Sequence, residues 1–116
     1  MSTKDPDRIE ILQGTLDLLI LRTLAPGPAH GHAIAKIIER NSDDVLQVEQ
    51  GSLDPALHRL IKKRWISAEE GIYRRAKYYR LAVRGRKQLL VETTKWDKLV
   101  QATSHILRSE PQENRT

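Results

Sequence analysis

A chain of 116 residues, 39% hydrophobic and 30% charged with a net charge of +5, is long enough for one domain with a core of its own. The absence of cysteine excludes a disulfide framework and cysteine-ligated zinc, and the absence of phenylalanine leaves Leu and Ile to fill the interior. No apolar run reaches the roughly 18 residues that a membrane span requires, and residues 1–7 hold no signal-peptide core, so a cytoplasmic protein without a membrane partner is expected.

Residues 1–8 are polar and expected to be flexible. Residues 15–25 form the first expected helix, with Leu16, Leu19, Ile20 and Leu24 on one stripe and Asp17 in its first turn. Pro26-Gly27-Pro28 stops it. Residues 30–40 form the second helix, with Ile34, Ile37 and Ile38 inward and His30 as its cap. A polar loop at 41–44 and a strand stub at 45–48 precede the third helix, residues 52–64. Ser52 is its expected N-cap, and Pro55 is tolerable if it falls in the first turn. Residues 65–68 and 76–81 read as two strands joined by a Gly71-containing link. The last helix, residues 83–107, carries a near-heptad stripe of Leu89, Trp96, Leu99, Val100, Thr103 and Ile106. Residues 108–116 read as a polar, flexible tail.

The order of three helices, a hairpin and one long helix is that of a mainly α fold with a small β-hairpin: a winged helix-turn-helix domain over residues 9–82 with a C-terminal helix over 83–107. Charge singles out one part of it. Residues 58–87 hold eleven Lys and Arg against Glu69 and Glu70, while residues 1–57 are net acidic. So concentrated a field suits a polyanion, and double-stranded DNA is the commonest.

On the third helix Leu53, Ala56, Leu57, Leu60 and Ile61 make the core face. Gln50, Ser52, Asp54, Pro55, His58, Arg59, Lys62 and Lys63 make the reading face, on which Arg59 has the geometry to bridge a guanine. Arg74, Arg75 and Lys77 give the hairpin a cationic tip suited to phosphate or a minor groove, with Tyr73, Tyr78 and Tyr79 interleaved. His30-Gly31-His32 does not make a metal site, because residues two apart do not share a helix face. No nucleophile, base and orienting group can be assembled, so neither an enzyme nor a cofactor is expected. The stripe on the last helix is too long for so small a domain to cover and reads as a partner surface. In it Trp96 is either a packing anchor or the wall of a pocket for a planar aromatic small molecule, packing being favoured.

Four blocks carry a family resemblance. Leu12-Gln13-Gly14-Thr15-Leu16-Asp17-Leu18-Leu19-Ile20-Leu21 resembles the opening helix of the PadR-type transcriptional regulators, and His30-Gly31-His32-Ala33-Ile34 resembles the start of their second helix. Gln50-Gly51-Ser52-Leu53-Asp54-Pro55-Ala56-Leu57-His58-Arg59-Leu60 resembles their recognition helix, and Arg75-Ala76-Lys77-Tyr78-Tyr79-Arg80-Leu81 with Gly85 resembles the second wing strand and the start of the dimer helix. The resemblance implies a bacterial homodimeric repressor on a two-fold operator. The C-terminal helix would pair with the partner's N-terminal helix, where Leu12 and Leu16 stand, and an effector pocket often lies between them. The chain departs from the family's pattern at Asp54, where a Tyr is usual, at His32, where an aromatic is usual, and in a shorter wing over 69–75. Asp54 and the short wing define the alternative reading, a winged-helix protein-interaction module that has lost operator binding.

Overall fold

The computed structural model describes residues 8–71 and 77–110. The two expected flexible ends lie largely outside it, and the hairpin tip with Tyr73, Arg74 and Arg75 lies outside it wholly. The elements in chain order are β1 (Ile9–Glu10), α1 (Gln13–Thr23), β2 (Ala29–His30), α2 (Gly31–Asn41), β3 (Leu46–Gln47), α3 (Gln50–Lys62), β4 (Ile66–Glu70), β5 (Lys77–Leu81) and α4 (Val83–Arg108).

The core follows the apolar periods. Leu16, Ile20, Leu21 and Leu24 from α1 and its end, Ile34, Ala35 and Ile38 from α2, and Leu53, Ala56, Leu57 and Leu60 from α3 are buried together, closed by Ile66 and Leu81 of the hairpin. Each fully buried Leu or Ile contributes about 1.5–3 kcal/mol relative to an exposed one. Helix α1 ends at Thr23, and Pro26 and Pro28, which cannot continue a helix, turn the chain toward α2.

The expected stub is β3, and two further two-residue strands, β1 and β2, go beyond the sequence expectation. β1 pairs parallel with β3, Ile9 opposite Leu46, and β2 pairs with β5, so the sheet order is β2-β5-β4. Glu39 ties the first of these pairs to α2: it accepts the Val48 N–H at 3.0 Å and meets Arg8 at 3.3 Å.

Helix α3 starts two residues earlier than expected. Its N-cap is Glu49, with no side-chain capping bond, so Ser52 is not the cap and Pro55 sits in the second turn rather than the first. The missing Pro55 N–H faces the carbonyl of Gly51, itself on the exposed side. The helix ends in a Schellman turn: Trp65 N–H donates to the Leu60 carbonyl at 3.0 Å and Arg64 N–H to that of Ile61 at 2.9 Å. Arg64 takes the left-handed conformation usually given to glycine, with φ 63°. His30 likewise precedes α2 without a capping bond; its ring stacks on Tyr78 with centroids 3.9 Å apart.

Helix α4 has 26 residues, about 39 Å at 1.5 Å per residue. Its first turns are anchored: Gly85 is buried against the Trp65 carbonyl, and Leu89 packs on the core. From Thr93 to its end every residue is exposed, so the second half of the helix lies outside the core, with Trp96 and Leu99 facing α1 across an open cleft.

Candidate nucleic-acid interface and the cleft beside it

The core pattern of α3 decides what it offers outward. With Leu53, Ala56, Leu57 and Leu60 buried, Gln50, Ser52, Asp54, Pro55, His58, Lys62 and Lys63 are all exposed. The structure therefore leaves seven of the expected residues accessible, six around the outer arc of α3 and Lys63 at its C-cap, and Lys77 at the start of β5 is exposed as well. Within this group the cations differ in freedom. Lys63 Nζ lies 4.6 Å over the Trp65 ring, a cation–π contact that holds it at the helix end. Gln50 Nε2 donates to Asp54 Oδ1 at 2.9 Å, one helical turn apart.

Arg59, expected to reach a guanine, is placed differently. Its Nη2 donates to Asp17 Oδ1 of α1 at 2.7 Å, with side chains 29% and 14% exposed respectively. The guanidinium is drawn toward α1 rather than standing on the outer ridge. α1 begins at Gln13, so Asp17 lies past the first turn, and its partner is a side chain rather than the helix dipole. Pairing across 42 residues leaves no local sequence signal. The pair fixes α3 against α1 beside the buried Leu16 and Leu53.

Tyr79 is the second residue that pattern reading undervalued. It packs against the core, lies opposite Ala29 and Ala68 across the sheet, and stands beside Gly31, which Leu57 also approaches. Burial, with the Asp54 carboxylate adding, holds its phenol above the usual tyrosine range. Tyr79 therefore stays neutral, next to the first turns of the exposed helix. On the outer strand surface Arg80 and Glu69 pair at 3.1 Å and are both exposed, so that contact adds little to stability.

An open cleft of about 290 Å³ lies on the other side of α1, between its N-terminal turns and α4. Leu12, Thr15 and Leu18 form one wall, and Trp96, Leu99, Glu92 and Lys95 the other. Trp96 is 40% exposed and Leu12 78% exposed. Val100, Ile106 and Leu107 continue the apolar surface beyond the cleft, and Leu90 and Val91, which lie outside the expected stripe, are exposed too. Two residues expected at this surface are elsewhere. Leu16 is 2% exposed and belongs to the core, and Leu89 is half-buried against the same core, because both face the α1–α3 packing. Among the described residues no three His, Cys, Asp or Glu converge as metal ligands, and no helix is long and apolar enough to cross a membrane.

The half-buried Asp17–Arg59 pair lies between exposed pairs, which contribute a few tenths of a kcal/mol, and buried ones, in which removing one partner costs about 3–5 kcal/mol. A coupling of about 1–2 kcal/mol is expected. A double-mutant cycle with Asp17→Asn and Arg59→Gln, followed by urea unfolding, measures it. Additive effects would show that the two side chains do not act on the fold together.

Comparison with known proteins agrees with this geometry. Residues 20–90, more than half of the chain, match the transcriptional regulator PadR-like family. A transcriptional regulator from Clostridium thermocellum superposes with a TM-score of 0.79 at 26% identity, over 83% of this chain and 93% of that one. A PadR family transcriptional regulator from Eggerthella lenta does so with a TM-score of 0.72 at 28% identity, over 84% and 86%. An uncharacterised protein of Lysinibacillus sphaericus is 29% identical over 92 residues, 77% of this chain and 84% of its own length. A winged helix with an exposed, cation-bearing third helix, matched over its length by regulators of one family, places this chain in the PadR-like family of DNA-binding transcriptional regulators, which are not enzymes.

Proposed function

We propose that this regulator acts as an isologous homodimer that represses by occupying a two-fold operator and leaves it when a planar aromatic small molecule enters the α1–α4 cleft. The observation that carries the reading is the second half of α4. It projects from the domain with Trp96, Leu99, Val100, Ile106 and Leu107 exposed, a continuous apolar surface of the kind that a soluble protein covers with a partner. A second copy laid antiparallel along it would bury these residues, close the cleft beside Leu12 and Trp96, and set two α3 helices on one face of a duplex. Half-sites would then fall about one helical turn apart. Glu92 and Lys95 at the cleft rim supply polar groups of both signs around an aromatic wall, which suits a planar ligand with a polar edge. The cytoplasm is the compartment in which such a protein would meet its operator.

Within this reading α3 delivers Ser52, Pro55, His58 and Lys62 to the major groove, Lys63 and Lys77 meet flanking phosphates, and Arg74 and Arg75 would extend the same field from the wing. The expected affinity is roughly nanomolar to micromolar at physiological salt. The affinity should fall steeply with added salt, and Lys62→Ala should lower the log–log slope by about one. Fluorescence anisotropy on the duplex upstream of the chain's own gene, repeated across salt concentrations, tests it. Binding that is flat between low and physiological salt would remove the electrostatic basis of the proposal. Loss of the complex on adding a planar aromatic compound is the expected sign of effector release.

A further inference from the structure

Asp54 is the single acidic residue of α3, and it is exposed on the side that carries His58 and Lys62. A carboxylate turned to phosphate lowers DNA affinity, so its place on this helix needs a counterpart that welcomes negative charge. The local structure narrows the choice. Gln50 Nε2 donates to Oδ1 at 2.9 Å, which fixes the carboxylate's rotamer and leaves Oδ2 as an accepting atom in the first turns of the helix. Those are the turns that a helix in the major groove brings nearest to the base edges. Among the four bases, guanine and thymine present only acceptor atoms there, and both repel a carboxylate. Adenine presents an amino group beside the acceptor N7. Cytosine presents its N4 amino group with no acceptor on the base itself, only O6 of the paired guanine to one side.

We infer that Asp54, held in place by Gln50, reads the N4 amino group of a cytosine and so sets one base of each operator half-site. The inference rests on the operator-binding reading above and names a specificity within it. Gln50 is a positioning residue here: it orients the carboxylate and need not touch DNA. The wider geometry is consistent with a fixed reader. Tyr79, partly buried and neutral, lies close enough to Asp54 to feel its charge, while the carboxylate itself is exposed.

Selection from a random duplex library with the full chain, followed by binding to single-base variants of the selected site, tests this. The wild type should select a cytosine at one position of each half-site. Replacing it with thymine, or with 2-pyrimidinone, which lacks only the amino group, should weaken wild-type binding about tenfold. Asp54→Ala should bind the original site and both replacements within about twofold of one another. Asp54→Asn should shift the preference toward adenine, since a side-chain amide pairs with adenine N6 and N7. Gln50→Ala should reduce the preference for cytosine without changing which base is preferred. If the wild type selects a sequence and Asp54→Ala selects the same one, or differs only by binding every duplex more tightly, then Asp54 merely repels phosphate and the inference falls while operator binding stands. If the wild type enriches no sequence at all, the inference and the operator reading fall together.

Discussion

Replacing Gly85 with alanine is expected to cost the fold about 3 kcal/mol or more, because there is no space for a methyl group at that position. A Cβ there would overlap the Trp65 carbonyl oxygen, lie 2.9 Å from its carbon, and press on Leu81 Cδ1 at 2.7 Å. The obstacle is backbone and cannot rotate away. The Trp65 carbonyl is also pinned, since Ala82 N–H donates to it at 2.9 Å. Relief would require α4 to lift off the start of β4, exposing Leu81 and loosening Leu89, and so tilting the helix that carries Trp96. Urea unfolding followed by far-UV circular dichroism gives the loss. Gly51→Ala is the matching control, because that helical glycine has open space around it and should gain up to about 1 kcal/mol. Equal midpoints for the two variants would show that the approach of α4 to β4 is looser than the structure has it.

Gly85 also shows which kinds of information the chain displays. The apolar spacings of Leu16, Ile20 and Leu24 and of Leu53, Ala56, Leu57 and Leu60 are repeated over several turns, and they led directly to helices that pack as expected. The long stripe of α4 was equally legible, and the helix ends at Arg108, one residue from the expected end. What periodicity does not display is the identity of the cover. Leu16 and Leu12 sit on the same first helix and look alike in a pattern, yet one is buried in the core and the other is 78% exposed. Two-residue strands such as β1 and β2 are too short to leave an alternation, and they exist through their pairing with β3 and β5. The start of α3 was misplaced for a related reason: Ser52 is a good capping residue, but Glu49 precedes the first turn without any side-chain bond, so propensity pointed to the wrong position.

Among the candidate interface residues the limits are those of distance. Most of the exposed set on α3 could be read from helical spacing alone, but the Gln50–Asp54 pair could not, because it depends on the helix starting at Gln50 rather than at Ser52. Arg59 could not, because its position is decided by Asp17, 42 residues away on another helix. Its role consequently divides: whatever it gives to DNA has to compete with a 2.7 Å ion pair that secures α3 against α1. Because α1 also walls the cleft through Leu12, Thr15 and Leu18, the same pair connects the proposed ligand site to the reading helix.

Shortening the chain to residue 94 is expected to yield a folded monomer whose operator affinity is reduced about a hundredfold or more, since the second half-site is no longer supplied at high effective concentration. The cut spares Gly85 and Leu89, which belong to the domain, and removes Trp96, Leu99, Val100, Ile106 and Leu107, which do not. The unfolding midpoint therefore separates loss of assembly from loss of fold. Sedimentation equilibrium of the full chain at roughly tens of micromolar should show a dimer, as an interface of standard size requires, and a monomer there would remove the proposed assembly. Trp96 then decides between two uses of the same surface. If its ring is the anchor, Trp96→Ala should weaken the dimer by about 2 kcal/mol or more. If it walls the ligand cleft, the dimer should survive that change, and planar aromatic cations should quench the fluorescence of the parent protein but not of Trp96→Phe. Trp65, held under Lys63 at the far end of α3, remains in both proteins as an internal reference. A quench that persists in Trp96→Phe would place the ligand near Trp65 and away from the cleft.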